Sequence, residues 1–188
     1  YISRNGGTFE EQYWVSYEQP YQHDSITNFD EKRLMGVPFL VELKNGKKMC
    51  ITEADMEDYP GLFLNSSADK PSLRTHHATY PKTLEQGGHN NLQMKVKERE
   101  NYIAKTKGTR SFPWRTFIIS KNDKDLADCD MVYRLASPSR VKDISWIKPG
   151  KVAWDWWNDW NLYGVDFRAG INNDTYKYYI DFASEHGI

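Results

Sequence analysis

Two stretches of the chain carry side chains whose types and spacing could do chemistry. The first is Thr52-Glu53-Ala54-Asp55-Met56-Glu57-Asp58-Tyr59-Pro60-Gly61, with four acids between Glu53 and Asp58. Carboxylates at the end of a strand can hold a hard cation such as Ca²⁺, which gathers oxygen ligands from several segments. The plainer reading is a solvated acidic turn, because charge runs favour water and no EF-hand spacing with its central glycine is present. The second is Trp154-Asp155-Trp156-Trp157-Asn158-Asp159-Trp160-Asn161, four tryptophans in seven residues beside amides and acids. Indole faces stack on the C–H surfaces of sugars, and Asn and Asp exchange hydrogen bonds with hydroxyls. Against this stands ordinary core packing, which claims most tryptophans. On a strand, Trp154 and Trp156 would share one face and Asp155 and Trp157 the other, so they could not all line one pocket.

Other clusters are thinner. The Asp123, Asp125, Asp128, Asp130 run lacks the EF-hand glycine and reads as a surface segment. His76-His77 and His89 suggest a metal weakly, since adjacent residues of a strand point to opposite faces and no HExxH frame exists. Residues 82–115 hold eight Lys or Arg against three Glu, with Tyr102, Phe112 and Trp114 interspersed. No nucleic-acid-binding motif accompanies that patch, and the acidic runs around it cancel its field, so no nucleic-acid partner is expected.

The elements that must position these groups follow from periodicity. Val37, Phe39, Val41 and Leu43 alternate, Asn45-Gly46 predicts a type I′ hairpin, and Met49–Ile51 resumes the strand. Short strands are expected near 12–17, at 62–64, 91–97, 114–120 and 131–135. Residues 1–135 therefore read as antiparallel β, part of a sandwich. Ser137-Pro138-Ser139 and Lys148-Pro149-Gly150 bracket a linker over 136–150. From Lys151 a short strand, 152–157, a loop to Ile171 and a helix over 173–186 make one β-loop-α module, with Asn172 or Asn173 as the cap and Gly187 as the stop. A helix stopped by glycine is where the next strand of such a module begins, so the chain is expected to continue in a longer protein.

Composition narrows the class. The 188 residues carry 25 basic and 26 acidic side chains, 39% hydrophobic residues and 14% aromatic ones, including 7 Trp and 12 Tyr. That aromatic load marks a folded chain rather than a disordered one. No apolar run approaches the roughly 20 residues of a membrane-spanning helix, so no membrane span is expected. The two cysteines, Cys50 and Cys129, form no CxxC pair and have no histidine at ligand spacing, which leaves two thiols or one disulfide.

Several of these stretches together resemble glycoside hydrolase family 97. They are Trp146-Ile147-Lys148-Pro149-Gly150-Lys151, the tryptophan cluster, Gly164-Val165-Asp166-Phe167-Arg168-Ala169-Gly170-Ile171-Asn172 and Tyr176-Lys177-Tyr178-Tyr179-Ile180-Asp181-Phe182-Ala183. Upstream, Thr52-Glu53-Ala54-Asp55, Asp58-Tyr59-Pro60-Gly61 and Pro113-Trp114-Arg115-Thr116 fit the same family in order, so the resemblance runs from Val37 to Ile188.

The resemblance implies a mixed, mainly β fold: an antiparallel β-sandwich portion over 1–135, the linker, and over 151–188 the first strand, loop and helix of a catalytic (β/α)₈ barrel. It implies a Ca²⁺-dependent α-glucosidase or α-galactosidase acting on the terminal α-linked sugar of an oligosaccharide. Glu53 matches the sandwich glutamate that ligates Ca²⁺, while Asp55, Glu57 and Asp58 keep the plainer reading. Trp154, Asp155, Trp156, Trp157 and Asn158 fall at the substrate. The family's catalytic carboxylates fall beyond Ile188, so the chain alone is expected to be inactive and to pack against the rest of the barrel in its parent. The tryptophan cluster with the Gly-Val-Asp-Phe loop is closer to the retaining, galactosidase-like branch. A periplasmic or secreted bacterial location is implied as well. The alternative from another class is a non-catalytic carbohydrate-binding β-sandwich module.

Overall fold

The computed structural model describes residues 7–15, 17, 22–67, 69, 71–88 and 91–188, so His89 lies outside the described residues. The chain divides into two compact units, Tyr1–Tyr80 with Glu100–Pro138, and Pro81–Arg99 with Ser139–Ile188.

The first unit is built from two antiparallel three-stranded sheets. Strands β1 (Leu34–Gly36), β4 (Phe63–Ser66) and β5 (Leu73–His76) form one in the order β1-β4-β5, and β2 (Phe39–Glu42), β3 (Lys48–Ala54) and β8 (Trp114–Ser120) form the other in the order β2-β3-β8. Each sheet gives the core a cross-strand pair. Met35 lies opposite Leu64 in the first and Phe39 opposite Ile51 in the second. These four, with Phe29 and Leu62, are one buried apolar cluster, the interior of a two-sheet sandwich. Residues two apart on a strand share a face, so Glu53 continues the inward face of Met49 and Ile51 to the end of β3.

The predicted β2–β3 hairpin forms, with a different turn. Gly46 N donates to Leu43 O at 2.8 Å, and Gly46 has φ +77° while Asn45 keeps a negative φ. This is a three-residue loop, a type I turn followed by a left-handed glycine, in place of the type I′ turn. Two strand expectations fail in this unit. Among the described residues of 12–17 there is no strand: Thr8 and Glu11 form a reciprocal capping box that starts the one-turn helix α1 (Phe9–Gln12). Residues 131–135 are helix α3 (Met131–Leu135), which follows α2 (Asp123–Ala127). An apolar run with no strand beside it satisfies its own backbone as a helix.

The aspartate run falls on this helical segment, where Asn122 caps α2 by accepting from Asp125 N at 2.9 Å. Gln12, fully buried, donates to Lys32 O at 2.8 Å and accepts from Leu34 N at 2.9 Å, which fixes α1 on the start of β1. Both cysteines are free thiols, and burial pushes the Cys50 thiol up.

In the second unit β6 (Pro81–Gly87) and β7 (Gln93–Arg99) pair as a two-stranded ribbon, and helix α4 spans Asn173–His186. Asn172 caps α4 by accepting from Thr175 N at 3.0 Å, and Gly187 ends it at φ +65°. Both caps stand where the sequence places them. The predicted strand at 152–157 does not form: residues 151–154 are irregular and Asp155–Asn158 is a single 3₁₀ turn. A strand exists only by pairing, and no described segment pairs with it.

Candidate functional site

Glu53 stands at the end of β3, in register with Arg115 on β8. Its side chain is 8% exposed and that of Arg115 26%. Glu53 Oε2 accepts from Leu62 N at 2.8 Å. Oε1 lies 2.8 Å from Arg115 Nη1 yet is buried with no aligned hydrogen bond, and Nη1 donates to Pro113 O at 3.4 Å. Oε2 thus takes a hydrogen bond, while Oε1 is charge-paired with Arg115 and accepts no hydrogen bond. A buried acceptor in that condition suits a cation.

The loop after Glu53 is pinned from several directions. Asp55, at φ +55°, accepts from Ser137 N at 2.7 Å and Ser137 Oγ at 2.8 Å. Arg110 donates to Glu57 O at 2.9 Å and Asp58 O at 3.1 Å, and its guanidinium rests 5.9 Å from the Tyr59 ring and 5.6 Å from the Phe112 ring. The loop therefore returns to Gly61 and Leu62 beneath Glu53, where a Cβ on Gly61 would come within 3.8 Å of Oε2. The acids Asp55, Glu57 and Asp58 do not converge on Glu53. Among the described residues no group of three or more His, Cys, Asp or Glu could hold a metal ion.

Each histidine of the His76-His77 pair has its own structural partner. His76 Nε2 meets Tyr13 Oη at 2.5 Å, with burial and then the charge of His77 holding its pKa below the usual histidine value, and His77 Nδ1 meets Gly61 O at 3.0 Å.

The tryptophan cluster lies in the second unit. Its 3₁₀ turn replaces the strand's period of two with contacts three and four residues apart. Trp154 packs on Trp157 with ring centroids 6.3 Å apart, and Trp156 on Trp160 at 4.5 Å. Asp155 turns inward and accepts from Trp160 Nε1 at 2.6 Å. Trp160 holds a left-handed φ of +54° right after Asp159 at +58°, a conformation a bulky residue keeps only when its surroundings enforce it. The Asp155 contacts do so, since Trp160 N also donates to Asp155 O at 3.1 Å. Asn158 accepts from Tyr179 Oη of α4 and exchanges bonds with Asn161 at 2.8 and 2.9 Å. Burial, then the Asp155 carboxylate, push the Tyr176 phenol up.

The exposed rings are Trp157 at 83%, Trp154 at 52% and Trp156 at 51%. Of the predicted substrate residues, Trp154, Trp156 and Trp157 present open indole surface, whereas Asp155 and Asn158 spend polar atoms holding the turn. Glu53 belongs to the first unit and these five to the second. Sequence reasoning missed Arg115 and Arg110, whose roles exist only through the β3–β8 register and the path of the 55–61 loop.

Comparison with known proteins adds relatives to this geometry. The family model described as Glycosyl-hydrolase 97 N-terminal matches residues 2–138. The chain is 54% identical over 186 residues to a protein of Bacteroides thetaiotaomicron named Retaining alpha-galactosidase, covering 99% of this chain and 28% of that protein. It is 36% identical over 83 residues to a Streptomyces bingchenggensis protein named Probable retaining alpha-galactosidase, covering 43% of this chain and 12% of that protein. The chain thus spans little more than a quarter of the length of the first relative.

Proposed function

The chain belongs to glycoside hydrolase family 97, and from that membership we propose that it forms part of a retaining α-galactosidase that removes terminal α-galactosyl residues from oligosaccharides. The observation that carries the choice of galactoside over glucoside is the 54% identity, across 99% of the chain, to a protein of that name. Retention needs two carboxyl groups about 5 to 5.5 Å apart across the scissile bond. We assign neither role to an acid of this chain: both come from outside these 188 residues, as the 28% coverage of the relative accommodates.

Glu53 supplies one oxygen to a Ca²⁺, and its buried Oε1 without a hydrogen bond supports that assignment. Ca²⁺ takes about six to eight oxygens, so water and segments outside this chain provide the others. When bound, the ion supplies positive charge that polarises a substrate oxygen. Leu62 N–H and Arg115 hold the Glu53 carboxylate in its orientation. Trp154, Trp156 and Trp157 offer stacking surface to the sugar, and Asp155 and Asn158 keep the turn in shape. The rest of a (β/α)₈ barrel packs against residues 151–188. That the similar protein is a bacterial glycosidase by name supports a periplasmic or secreted location.

The experiment is release of nitrophenol from α-galactoside and α-glucoside by the full-length protein, with and without chelator, beside this chain and a full-length Glu53→Gln variant. We expect α-galactosidase activity with α-galactose as first product, lost on chelation and reduced by Glu53→Gln, with none from the isolated chain. A full-length protein that binds glycans and cleaves neither substrate would replace this reading with a binding module.

A further inference from the structure

The β6–β7 ribbon leaves the first unit at Tyr80 and returns at Glu100, its neck closed by Tyr80 N to Tyr102 O and Glu100 N to Tyr80 O, both 2.8 Å. Almost every residue along β6 is exposed, so the ribbon adds little to any core. A two-stranded ribbon is marginal by itself. This one is laced by Lys82–Glu98 at 3.2 Å and Lys97–Glu85 at 3.0 Å, and irregularities between Pro81 and Leu84 bend it. It belongs with 139–188 rather than with the strands before and after it.

The contacts at its far end explain that membership. Arg168 Nη2 donates to Asn91 O at 3.2 Å. Leu92 sits so close to the buried Gly170 that a Cβ there would lie 2.8 Å from Leu92 Cδ2. On its other side the same loop is tied to the start of α4: Gly170 N donates to Thr175 Oγ1 at 3.0 Å, with Thr175 fully buried, and Asn172 Nδ2 donates to Arg168 O at 2.8 Å. The loop that runs from the tryptophan turn to α4 is therefore gripped between the helix cap and the arm.

We propose that the β6–β7 arm positions the leaving-group side of the sugar site: seating Leu92 on Gly170 and the Asn91 carbonyl on Arg168 fixes the 161–172 loop, and with it the tryptophan turn, for glycosides longer than one sugar. This rests on the reading of residues 151–188 as the opening segment of a glycosidase barrel, whose substrates enter over the loops that follow its strands. An enzyme that removes a terminal sugar encloses that sugar, and what extends past the rim is the leaving group. A mostly exposed arm gripping a rim loop meets that part of the substrate. Leu92 and Arg168 are positioning residues, acting through the loop.

The test compares nitrophenyl α-galactoside with an α-galactosyl trisaccharide, using full-length wild type, Leu92→Ala/Arg168→Ala and Arg168→Ala alone. Arg168→Ala removes one exposed hydrogen bond and keeps the fold, so it reads the arm even where the double variant unfolds. We expect KM for the trisaccharide to rise about tenfold in the double variant and about threefold in the single one, with kcat and the nitrophenyl kinetics held within twofold. Leu92→Met, which keeps the side-chain volume, should restore wild-type KM. Equal losses on both substrates that follow a lowered melting temperature would overturn the proposal and leave the arm a structural brace. Unchanged kinetics on both would overturn it too. A wild-type protein inactive on both substrates would instead remove the galactosidase reading on which the proposal stands.

Discussion

Replacing Glu53 by Gln removes the charge from a side chain that is 8% exposed and leaves the Arg115 guanidinium, itself 26% exposed, without its counter-ion 2.8 Å away. Removing one partner of a fully buried pair costs about 3–5 kcal/mol. Arg115 reaches water along part of its surface, which lowers the expected cost to about 1–3 kcal/mol. The bond from Leu62 N survives, because the amide oxygen of Gln accepts it as the carboxylate does. Arg115→Met should cost a similar amount alone and far less in the Gln background, giving a coupling of about 1–2 kcal/mol in a double-mutant cycle. Urea unfolding followed by far-ultraviolet circular dichroism measures the cycle, and amide exchange at Leu62 reports locally on the carboxylate. A Glu53→Gln cost under about 0.5 kcal/mol, or zero coupling to Arg115, would refute the ion pair as the anchor of this carboxylate.

Two further outcomes are expected. His76 is held neutral by burial, so its folded pKa lies below its unfolded one; the stability this contributes is present above about pH 6.5 and lost as pH falls through the folded value. His76→Gln should flatten that acid limb, which thermal melts between pH 7 and 4.5 would show. Asn172→Ala removes both the cap on Thr175 N and the bond to Arg168 O, and should cost about 1–2 kcal/mol, seen as faster amide exchange in the first turn of α4.

Much of the fold was legible because its signals are local. Alternation placed β2, β3 and β8, and the last of these spans Trp114–Ser120 as read. Asn172 and Gly187 delimited α4 because a side-chain cap and a left-handed stop act within one turn of chain. The capping box of Thr8 and Glu11 was equally local, yet the aromatic residues after it suggested a strand. The runs at 131–135 and 152–157 misled for a different reason: β propensity describes a residue's fit to a sheet, and whether a neighbouring strand exists is not written in the run itself.

The candidate site divides in the same way. Glu53 was found through its sequence neighbours, and the tryptophans through their density. That Arg115 faces Glu53 follows from the β3–β8 register across more than sixty residues of chain, and that Asp155 turns away from solvent follows from a turn that brings Trp160 back over it. The sequence by itself determined the element types with local signals, the family, and which residues are candidates for the chemistry. Only the tertiary structure decided their partners, their exposure and the arm that holds the 161–172 loop, because these depend on contacts between residues far apart in the chain, which no local pattern encodes.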